Sequence, residues 1–509
     1  MLARINGAAL VGIDAIACEV EVDVANGGFE RSVIVGLPDT AVKESLERVR
    51  SAVVNSGYDY PRTASVINLA PADIKKEGPS FDLPIALGMV FGQGLTQSEV
   101  LEETVILGEL ALDGRVRSVR GVLSAAIMAQ QKHFKTILVP AENAAEAAVV
   151  QDLNVIPVSS LTEAVGYLSG QLPLEAMEID IDTVFQQGSQ YTDDFSDVKG
   201  QESAKRAMTI AAAGNHNLLM MGPPGTGKTM LAQRLPTILP ALTWEESLET
   251  TRIYSTMGLL RKNQSLLAKR PVRYPHHSAS GPSLVGGGSI PKPGELSLAH
   301  NGLLFLDEFP EFNRVVLETI RQPLEDGSVT ISRASGTLTF PANFMLVAAM
   351  NPCPCGYVTD PKRTCKCSPN QIERYLSRIS GPLVDRIDIH IDVPAVPFGE
   401  LSSEREGTSS AEMRQQVTRA RRKQADRFGH DSIHCNARMN SRQVRKYCRL
   451  DEAGKNMIKQ AVYELGLSAR AHDKICKVAR TIADLESAKD IKPEHIAEAI
   501  SYRKLDRKL

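Results

Sequence analysis

Hydrophobic and polar positions along the chain fall into three stretches with different periodicities. Residues 1 to about 170 mix strand-like runs such as CEVEVDV with helical runs such as TAVKESLERVRSAVVNSG, which ends at Gly57, a residue suited to a helix C-terminus. From Phe195 to about Pro394, a second α/β pattern contains short apolar strands at 218–221, 303–306 and 345–349. The stretch after about 410 has no strand candidate and predicts helices alone.

These periodicities predict an α/β multidomain protein. The expected domains are an α+β domain over 1–172, a linker over 173–195, an α/β core over 196–397 and a helical domain over 398–509. Polar, aperiodic sequence marks both boundaries, since TVFQQGSQYTDDF precedes the core and FGELSSEREGTSS follows it. A length of 509 residues fits about three domains.

Composition excludes several classes of protein. Hydrophobic residues make up 43% of the chain, enough for buried cores, so disorder throughout is excluded. Lysine and arginine total 58 against 60 acidic residues, and a net charge of −2 excludes a polycationic DNA coat but not a local basic surface. Eight cysteines are too few for a disulfide scaffold. No apolar run is long enough to span a membrane, so we expect a cytoplasmic protein without membrane contact.

The strongest chemical signal is a glycine-rich motif between an apolar strand, NLLMM, and a helix-compatible segment, TMLAQRL. The motif G-x-x-x-x-G-K-[ST] is formed by Gly222, Pro223, Pro224, Gly225, Thr226, Gly227, Lys228 and Thr229. Its glycines let backbone N–H groups face phosphates, and the helix N-terminus that follows favours negative charge. We expect Lys228 to reach the β- and γ-phosphates of ATP and the Thr229 hydroxyl to ligate Mg²⁺.

Two carboxylates follow the apolar strand at 303–306. Because buried charges need partners or a metal, Asp307 is expected to hold Mg²⁺, and Glu308 is expected to polarise the attacking water. A carboxylate beyond the metal ligand implies hydrolysis rather than binding alone. The next apolar strand ends at Asn351, whose amide is suited to hydrogen-bond the γ-phosphate or that water.

Four of the cysteines form two C-x-C pairs joined by a short loop, namely Cys353, Cys355, Cys365 and Cys367. Four thiolates can close a tetrahedron on Zn²⁺ with no open position, so a structural zinc site is expected. The C-x-C spacing is shorter than the C-x₂₋₄-C spacing that is usual in zinc sites. Four thiols without a metal are therefore the alternative. The pair His276-His277 stands in a Ser/Gly-rich segment and predicts a polar loop rather than a metal site.

The motifs GPPGTGKT and LLFLDE and the strand ending at Asn351 follow one another as in AAA+ ATPases, which the sequence resembles. Longer strings resemble the magnesium-chelatase-like branch of those ATPases, and within it the ComM/YifB family, over essentially the whole chain. These strings are HHSASGPSLVGGG, GELSLAHNGLLFLDEFPEF, RQPLEDGSVTISRA, NPCPCGY and LSRISGPLVDRIDIH. The resemblance implies an AAA+ P-loop core with a C-terminal helical lid, which uses ATP and Mg²⁺ in a homo-hexameric ring.

The same resemblance gives roles to arginines. Arg386 in LVDRID matches the arginine finger that reaches the ATP of a neighbouring subunit, and Arg470 matches the sensor-2 arginine of the lid. Arg378 is a second finger candidate that ranks below Arg386. Taken alone, an arginine of this kind is more often part of a surface ion pair. A finger supplied by a neighbour stabilises the charge of phosphoryl transfer and makes hydrolysis depend on assembly.

Two further segments are candidates for DNA contact. VTISRASGTLTF predicts a β-hairpin over 329–340, and in related hexameric helicases such a hairpin projects into the pore with a basic residue near its tip, here Arg333. An ordinary exposed hairpin arginine is the alternative. Residues 256–300 resemble the helix-2 insert of the same branch, another pore element. Aromatic residues make up only 5% of the chain, which disfavours a platform for stacking bases.

The N-terminal segment with KEGPSFDLPIAL resembles the proteolytic domain of Lon proteases, the S5-type fold. Ser80 stands at the nucleophile position, but Leu123 stands where the general-base lysine belongs, and leucine cannot accept a proton. The resemblance therefore implies a Lon-like domain without peptidase activity, kept for assembly or for guiding DNA.

The resemblance to the ComM/YifB family implies an ATP-driven hexameric DNA motor, a helicase or branch-migration translocase that promotes DNA integration during natural transformation and homologous recombination. Its expected partners are single-stranded and branched DNA, with recombination proteins as further candidates. Two alternatives stay open, a magnesium-chelatase-type motor and a protein-remodelling AAA+ ATPase. The Lon-like domain and the four-cysteine loop are not parts of the compact chelatase motor, which favours the DNA motor.

Overall fold

A computed structural model shows how these segments fold. It describes residues 1–25, 27, 31–95, 99–188, 191–333, 336–360, 362–397, 399, 407–429, 434–465 and 468–503. The chain divides into two compact units. Unit 1 consists of Met1–Gly188 and Thr243–Ala268, and unit 2 consists of Ser189–Leu242 and Lys269–Leu509. Both units mix helices and strands, which confirms the predicted α/β multidomain class.

Unit 1 is built on a seven-stranded mixed sheet with the strand order β3-β4-β2-β1-β5-β8-β9. The strands of unit 1 are β1 (Leu2–Val11), β2 (Asp14–Val24), β3 (Arg31–Val35), β4 (Ala64–Ala70), β5 (Thr104–Ile106), β6 (Glu109–Leu110), β7 (Val116–Arg117), β8 (Thr136–Pro140) and β9 (Asn154–Val158). Its helices are α1 (Thr40–Asn55), α2 (Asp82–Phe91), α3 (Val122–Gln131), α4 (Ala144–Ala147), α5 (Leu161–Leu168), α6 (Ile181–Gly188) and α9 (Trp244–Met257). Every residue of α2 is buried, so this helix forms the centre of the unit 1 core.

Helix α6 lies in the segment 173–195, where the sequence predicted a linker. Val184 and Phe185 are partly buried and pack against the apolar cluster that contains Leu266. Ile181, Val184 and Phe185 stand at positions i, i+3 and i+4, the spacing that places side chains on one helical face. An eight-residue helix with an apolar face therefore lies within the stretch that the sequence predicted as a linker.

Residues 243–268 were predicted to belong to the ATPase core, but they pack in unit 1. Trp244 and Leu248 of α9 are partly buried against an apolar cluster built from α3, β8 and β9. The Ser255 hydroxyl of α9 donates to the carboxylate of Glu146, which is only 4% exposed. The Asn143 amide donates to the same carboxylate over 2.6 Å. Unit 1 is therefore completed by a segment that the chain supplies after the P-loop.

Replacement of Ser255 by alanine is expected to lower the free energy of unfolding of unit 1 by about 1–3 kcal/mol, because a buried carboxylate loses a hydrogen-bond donor. Trp244, the single tryptophan of the chain, lies on the same helix, so its fluorescence in a denaturant titration reports this unfolding. Ser51→Ala is the matched control, since that hydroxyl bonds only to the carbonyl of Glu47 on an exposed face. Equal midpoints for Ser255→Ala and the wild-type chain would contradict the assignment of α9 to unit 1.

Unit 2 is built on a five-stranded sheet with the strand order β11-β14-β17-β10-β18. The strands of unit 2 are β10 (Leu218–Met221), β11 (Val272–Arg273), β12 (Gly286–Gly287), β13 (Lys292–Pro293), β14 (Leu303–Leu306), β15 (Ser328–Arg333), β16 (Gly336–Pro341), β17 (Met345–Met350) and β18 (Ile389–Asp392). The helices of the core are α7 (Glu202–Gly214), α8 (Lys228–Arg234), α10 (Gly281–Val285), α11 (Glu295–Leu298), α12 (Arg314–Thr319), α13 (Arg321–Asp326), α14 (Pro369–Leu376) and α15 (Gly381–Val384). Those of the helical end are α16 (Ser410–Phe428), α17 (Ser441–Tyr447), α18 (Glu452–Leu465), α19 (Ala469–Leu485) and α20 (Pro493–Ser501).

All neighbouring strands of the unit 2 sheet are parallel. The three strands that the sequence predicted, β10, β14 and β17, are confirmed to within one residue. Because parallel strands end at the same edge of a sheet, the loops after these strands meet at one edge. The residues that precede β10 and β18 lie at the opposite edge. The predicted site residues therefore fall into two groups, one at each edge of the sheet.

The β-hairpin predicted over 329–340 is formed by β15 and β16, with Arg333 opposite Gly336. The turn residues 334–335 lie outside the described part of the chain. None of the described helices combines the length and the apolar character that a membrane crossing requires.

Candidate functional site

The phosphate-binding loop connects β10 to α8, as its motif predicts. Gly225 and Gly227 have φ angles of 78° and 83°, a left-handed region that glycine adopts without strain. An added Cβ at either position would meet nothing within 4 Å, so the requirement for glycine is conformational rather than steric.

Lys228 opens α8, and its ammonium group is turned into the loop. Its Nζ donates to the carbonyl oxygens of Gly222 and Pro223, over 2.7 and 2.9 Å, and to Oδ1 of Asn351, over 3.2 Å. Burial lowers the pKa of Lys228, and the charge of Asp307 opposes part of that shift. Lys228, which follows β10, and Asn351, which follows β17, therefore meet at the carboxyl ends of these strands.

Thr229 and Asp307 form the second contact between these loops. The Thr229 hydroxyl donates to Oδ2 of Asp307 over 2.7 Å. Hydroxyl and carboxylate oxygens are the ligands that Mg²⁺ prefers when it is bound together with nucleotide phosphates. Their adjacency fits the predicted pair of magnesium ligands.

Glu308 lies beside this pair with a left-handed φ of 52° and a side chain that is 57% exposed. Its Oε2 lies 3.1 Å from Nδ1 of His277, which belongs to the loop between β11 and α10. The sequence indicated only a polar loop for His276-His277 and missed this contact, because His277 and Glu308 are far apart in sequence. A histidine beside the strand-end glutamate holds the carboxylate that is expected to polarise water.

His277→Asn is expected to raise ATP hydrolysis in the absence of DNA by about two- to fivefold, because a single polar contact of the kind that restrains Glu308 contributes about 0.5–1 kcal/mol. The KM for ATP should stay unchanged, since His277 contacts none of the loop residues that cradle phosphates. His276→Asn is the matched control, because the two rings lie 4.1 Å apart but only His277 contacts Glu308. A basal rate that is unchanged or lower in His277→Asn would contradict this role.

The predicted arginine finger, Arg386, and the predicted sensor-2 arginine, Arg470, lie at the other edge of the sheet. Arg386 and Arg470 line one cavity of about 530 Å³ together with Arg438 and Lys474. Arg386 stands three residues before β18, which runs parallel to β10. The four residues of β10 separate that edge from the phosphate loop by about 13 Å. Arg386 therefore lies near the end of the sheet opposite the P-loop of its own chain.

Each arginine has different surroundings. Nη2 of Arg386 lies 2.7 Å from Oε1 of Glu325, and its side chain is only 11% exposed. Arg470 is exposed. Arg378, the lower-ranked finger candidate, pairs with Glu311 over 2.6 Å in the loop after β14. The preferred finger candidate Arg386 and the sensor-2 candidate Arg470 thus line the same cavity. The second finger candidate, Arg378, does not line it.

A buried ion pair ties the lid to this edge of the core. Nζ of Lys474, on α19 with Arg470, lies 2.7 Å from Oδ1 of Asp388, which follows Arg386 by two residues. Burial raises the pKa of Asp388, but the charge of Lys474 and the His216 ring outweigh that effect and lower it below its usual range. The carboxylate therefore stays charged and joins the segments that carry Arg386 and Arg470.

Arg333 is exposed at the end of β15. Its Nη2 lies 3.6 Å from the position that a Cβ on Gly287 would occupy, so it lies against β12 of the insert. Strand β12 pairs with β13, where Lys292 is exposed. The two segments that the sequence proposed separately for DNA contact thus lie side by side and present basic groups.

The four cysteine side chains of the loop after β17 converge. The Sγ atoms of Cys353, Cys355 and Cys365 are 3.4 to 3.8 Å apart, and all four cysteines lie within 4.8 Å of one another. A tetrahedron with Zn–S bonds of about 2.3 Å has sulfur–sulfur edges of about 3.8 Å. The donor set and its spacing therefore fit Zn²⁺.

In unit 1, Leu123 is the second residue of α3 and is fully buried. Its aliphatic side chain offers no group that accepts a proton from Ser80. Asp82, two residues after Ser80, is buried and paired with Arg48 over 2.8 Å. These residues serve the packing of unit 1 and do not form a serine–lysine dyad.

Comparison with known proteins places these features in a family. A family model described as magnesium chelatase, subunit ChlI, matches residues 194–401, and models of the same subunit match residues 20–143 and 407–503. The chain is 46% identical to the competence protein ComM of Haemophilus influenzae over 513 residues, which cover 100% of this chain and 98% of ComM. It is 43% identical to YifB of Escherichia coli over 509 residues, with the same coverage. A Lon protease of Aster yellows witches'-broom phytoplasma is 28% identical over 170 residues, 31% of this chain and 21% of the protease.

Proposed function

Because the chain belongs to the magnesium-chelatase-like AAA+ family that includes ComM and YifB, we propose that it is an ATP-driven DNA motor of the helicase or branch-migration type. One observation carries this proposal. It is the similarity of the chain, over its full length, to a competence protein. The exposed Arg333, which lies against Gly287 of β12, gives further support. The proposed role is to promote the integration of incoming DNA during natural transformation and homologous recombination.

ATP hydrolysis is assigned to the carboxyl edge of the unit 2 sheet. Lys228 binds the β- and γ-phosphates, and Thr229 and Asp307 hold Mg²⁺, which neutralises phosphate charge when bound. Glu308 then orients and polarises the attacking water, and Asn351 holds the γ-phosphate or that water. His277 restrains Glu308 until the insert moves, since the same loop continues into α10 and β12.

Assembly follows from the placement of the arginines. Arg386 and Arg470 line a cavity at the sheet edge opposite the P-loop of their own chain, so we propose that they serve the P-loop of a neighbouring chain. A head-to-tail contact that repeats from chain to chain forms a closed ring when the rotations between neighbours add up to a full turn. We propose a ring of six identical chains. Each ATP site is then completed by the finger Arg386 and the sensor Arg470 of the next subunit.

DNA contact is assigned to the hairpin β15–β16 and the insert strands β12–β13. Arg333 and Lys292 are exposed there, and cations on such elements bind phosphates without reading sequence. Single-stranded and branched DNA are the proposed substrates, recombination proteins are the proposed partners, and the cytoplasm is the proposed location. A magnesium-chelatase-type motor is the second candidate, which the three ChlI family matches favour.

Arg333→Ala is expected to weaken binding of single-stranded and four-way-junction DNA, and to reduce the slope of log affinity against log salt by about one for each subunit that contacts DNA. Fluorescence anisotropy of labelled DNA at several salt concentrations measures both quantities. Arg449→Ala removes a charge from an exposed position of the helical end and serves as the control. DNA affinity and salt slope equal to those of the wild-type chain would contradict the assignment of this hairpin.

A further inference from the structure

The four-cysteine loop begins directly after Asn351, one of the residues that hold Lys228. Cys353 follows Asn351 by two residues and is fully buried. The loop ends at Ser368, which caps α14 by accepting a hydrogen bond from the backbone of Gln371. Tyr375 of that helix is buried and hydrogen-bonds the backbone of Asn351. Both ends of the loop are therefore attached to the strand that positions Asn351.

The middle of the loop packs against the phosphate-binding loop. A Cβ on Gly356 would lie 2.6 Å from Cδ of Pro224 and 3.8 Å from Cγ of Asn351. Such a separation leaves no room for a side chain, so the backbone at Gly356 is in contact with Pro224. Gly356 is also hydrogen-bonded to the carbonyl of Cys353 over 2.9 Å. The shape of the cysteine loop thus sets the position of a residue in the P-loop.

Apart from the cysteines, local hydrogen bonds hold the described part of the loop, from Arg363 to the Tyr357 hydroxyl and from the backbone of Lys362 and Arg363 to Asp360. Its described residues between β17 and α14 form neither helix nor strand, and Cys355, Cys365 and Cys367 are only partly buried. Four convergent thiols, by contrast, form a closed metal site that contributes folding free energy directly. A metal bound by the four thiols would join the two C-x-C pairs and add to the local contacts that hold this segment against Pro224.

We infer that Zn²⁺ bound by Cys353, Cys355, Cys365 and Cys367 braces the ATP site, so that the chain without metal binds nucleotide weakly. The metal acts on the nucleotide only through packing, from the cysteine loop at Gly356 to Pro224 and from Cys353 to Asn351 and Lys228. This inference rests on the proposed ATP site but not on the proposed DNA motor. It makes nucleotide binding dependent on a metal held by residues other than the proposed magnesium ligands Thr229 and Asp307.

The first test compares two cysteine replacements in the full chain. Cys365→Ala removes one ligand, whereas Cys448→Ala removes a buried thiol of the helical end outside the cluster. Zinc content by mass spectrometry and the Kd of a fluorescent ATP analogue are the two readouts. We expect one zinc per chain in the wild type and in Cys448→Ala. Cys365→Ala should lose the zinc and bind the analogue about tenfold or more weakly.

A second variant disturbs the contact between Gly356 and Pro224 without removing a zinc ligand. Gly356→Ala keeps all four thiols but places a methyl group 2.6 Å from Pro224 at a φ of 85°. Gly429→Ala is its control, because that glycine also has a positive φ but open space around it. We expect Gly356→Ala to retain zinc and to lose nucleotide affinity, and Gly429→Ala to change neither. If Cys365→Ala fails to fold, Gly356→Ala decides the question.

Three results would overturn the inference. These are a wild-type chain free of zinc, a zinc-free Cys365→Ala that binds the analogue as tightly as the wild type, and a Gly356→Ala with unchanged affinity. Failure of the proposed ATP site looks different, because Lys228→Ala would then bind the analogue as well as the wild-type chain does.

Discussion

Glu308→Gln is expected to bind ATP with nearly wild-type affinity and to hydrolyse it about 10²–10⁴ times more slowly. Glutamine keeps the size of the side chain but lacks the charge that polarises the attacking water. Thr229 and Asp307, the proposed magnesium ligands, lie 2.7 Å apart and are untouched by the change. Binding and chemistry should therefore separate in this variant.

Phosphate release and the Kd of a fluorescent ATP analogue measure the two steps independently. Glu373→Gln, at an exposed position of α14, is the control and should turn over at the wild-type rate. Turnover of Glu308→Gln within about twofold of the wild type would show that another residue polarises the water, since one general base contributes far more than that.

Arg386→Ala is expected to lower hydrolysis by about 10³-fold while ATP binding persists, the effect that loss of an arginine finger has in other phosphoryl-transfer enzymes. Because the arginine lies near the edge of the sheet opposite the P-loop, we expect the loss to act on the ATP site of a neighbouring subunit. Arg378→Ala tests the lower-ranked finger candidate, which pairs with Glu311. This change should lower the rate of ATP hydrolysis much less than Arg386→Ala does.

Mixing two inactive variants tests the action between subunits directly. Lys228→Ala has no functional P-loop but supplies an intact Arg386, whereas Arg386→Ala has the reverse defect. Mixed rings contain interfaces where an intact P-loop meets an intact Arg386, so part of the wild-type rate should return. Mixtures that stay as inactive as their components, while gel filtration shows mixed rings, would place Arg386 outside catalysis.

The P-loop and the strands that flank it were predictable because their signals are local. A glycine-rich turn between a strand and a helix, and carboxylates after an apolar strand, each span fewer than about ten residues. Strands β10 and β14 accordingly lie where the hydrophobic pattern predicted them. The parallel sheet then brings Lys228, Asp307 and Asn351 together without further information.

What the sequence did not predict depends on contacts between distant residues. Ser255 and Glu146 are 109 positions apart, and no periodicity within α9 indicates that this helix completes unit 1. The contact of His277 with Glu308 depends on β11 and β14 being neighbours in the sheet, which only the strand order reveals. The pairing of Arg386 with Glu325 is of the same kind.

The rate of ATP hydrolysis without DNA, with single-stranded DNA and with a four-way junction tests the DNA motor most directly. Glu308→Gln serves as the blank for contaminating ATPases. A DNA motor predicts strong stimulation of hydrolysis by DNA in the wild-type chain and its loss in Arg333→Ala. A rate that is the same with every DNA, in a chain that binds and hydrolyses ATP, would contradict the DNA motor and favour a protein or porphyrin-pathway client.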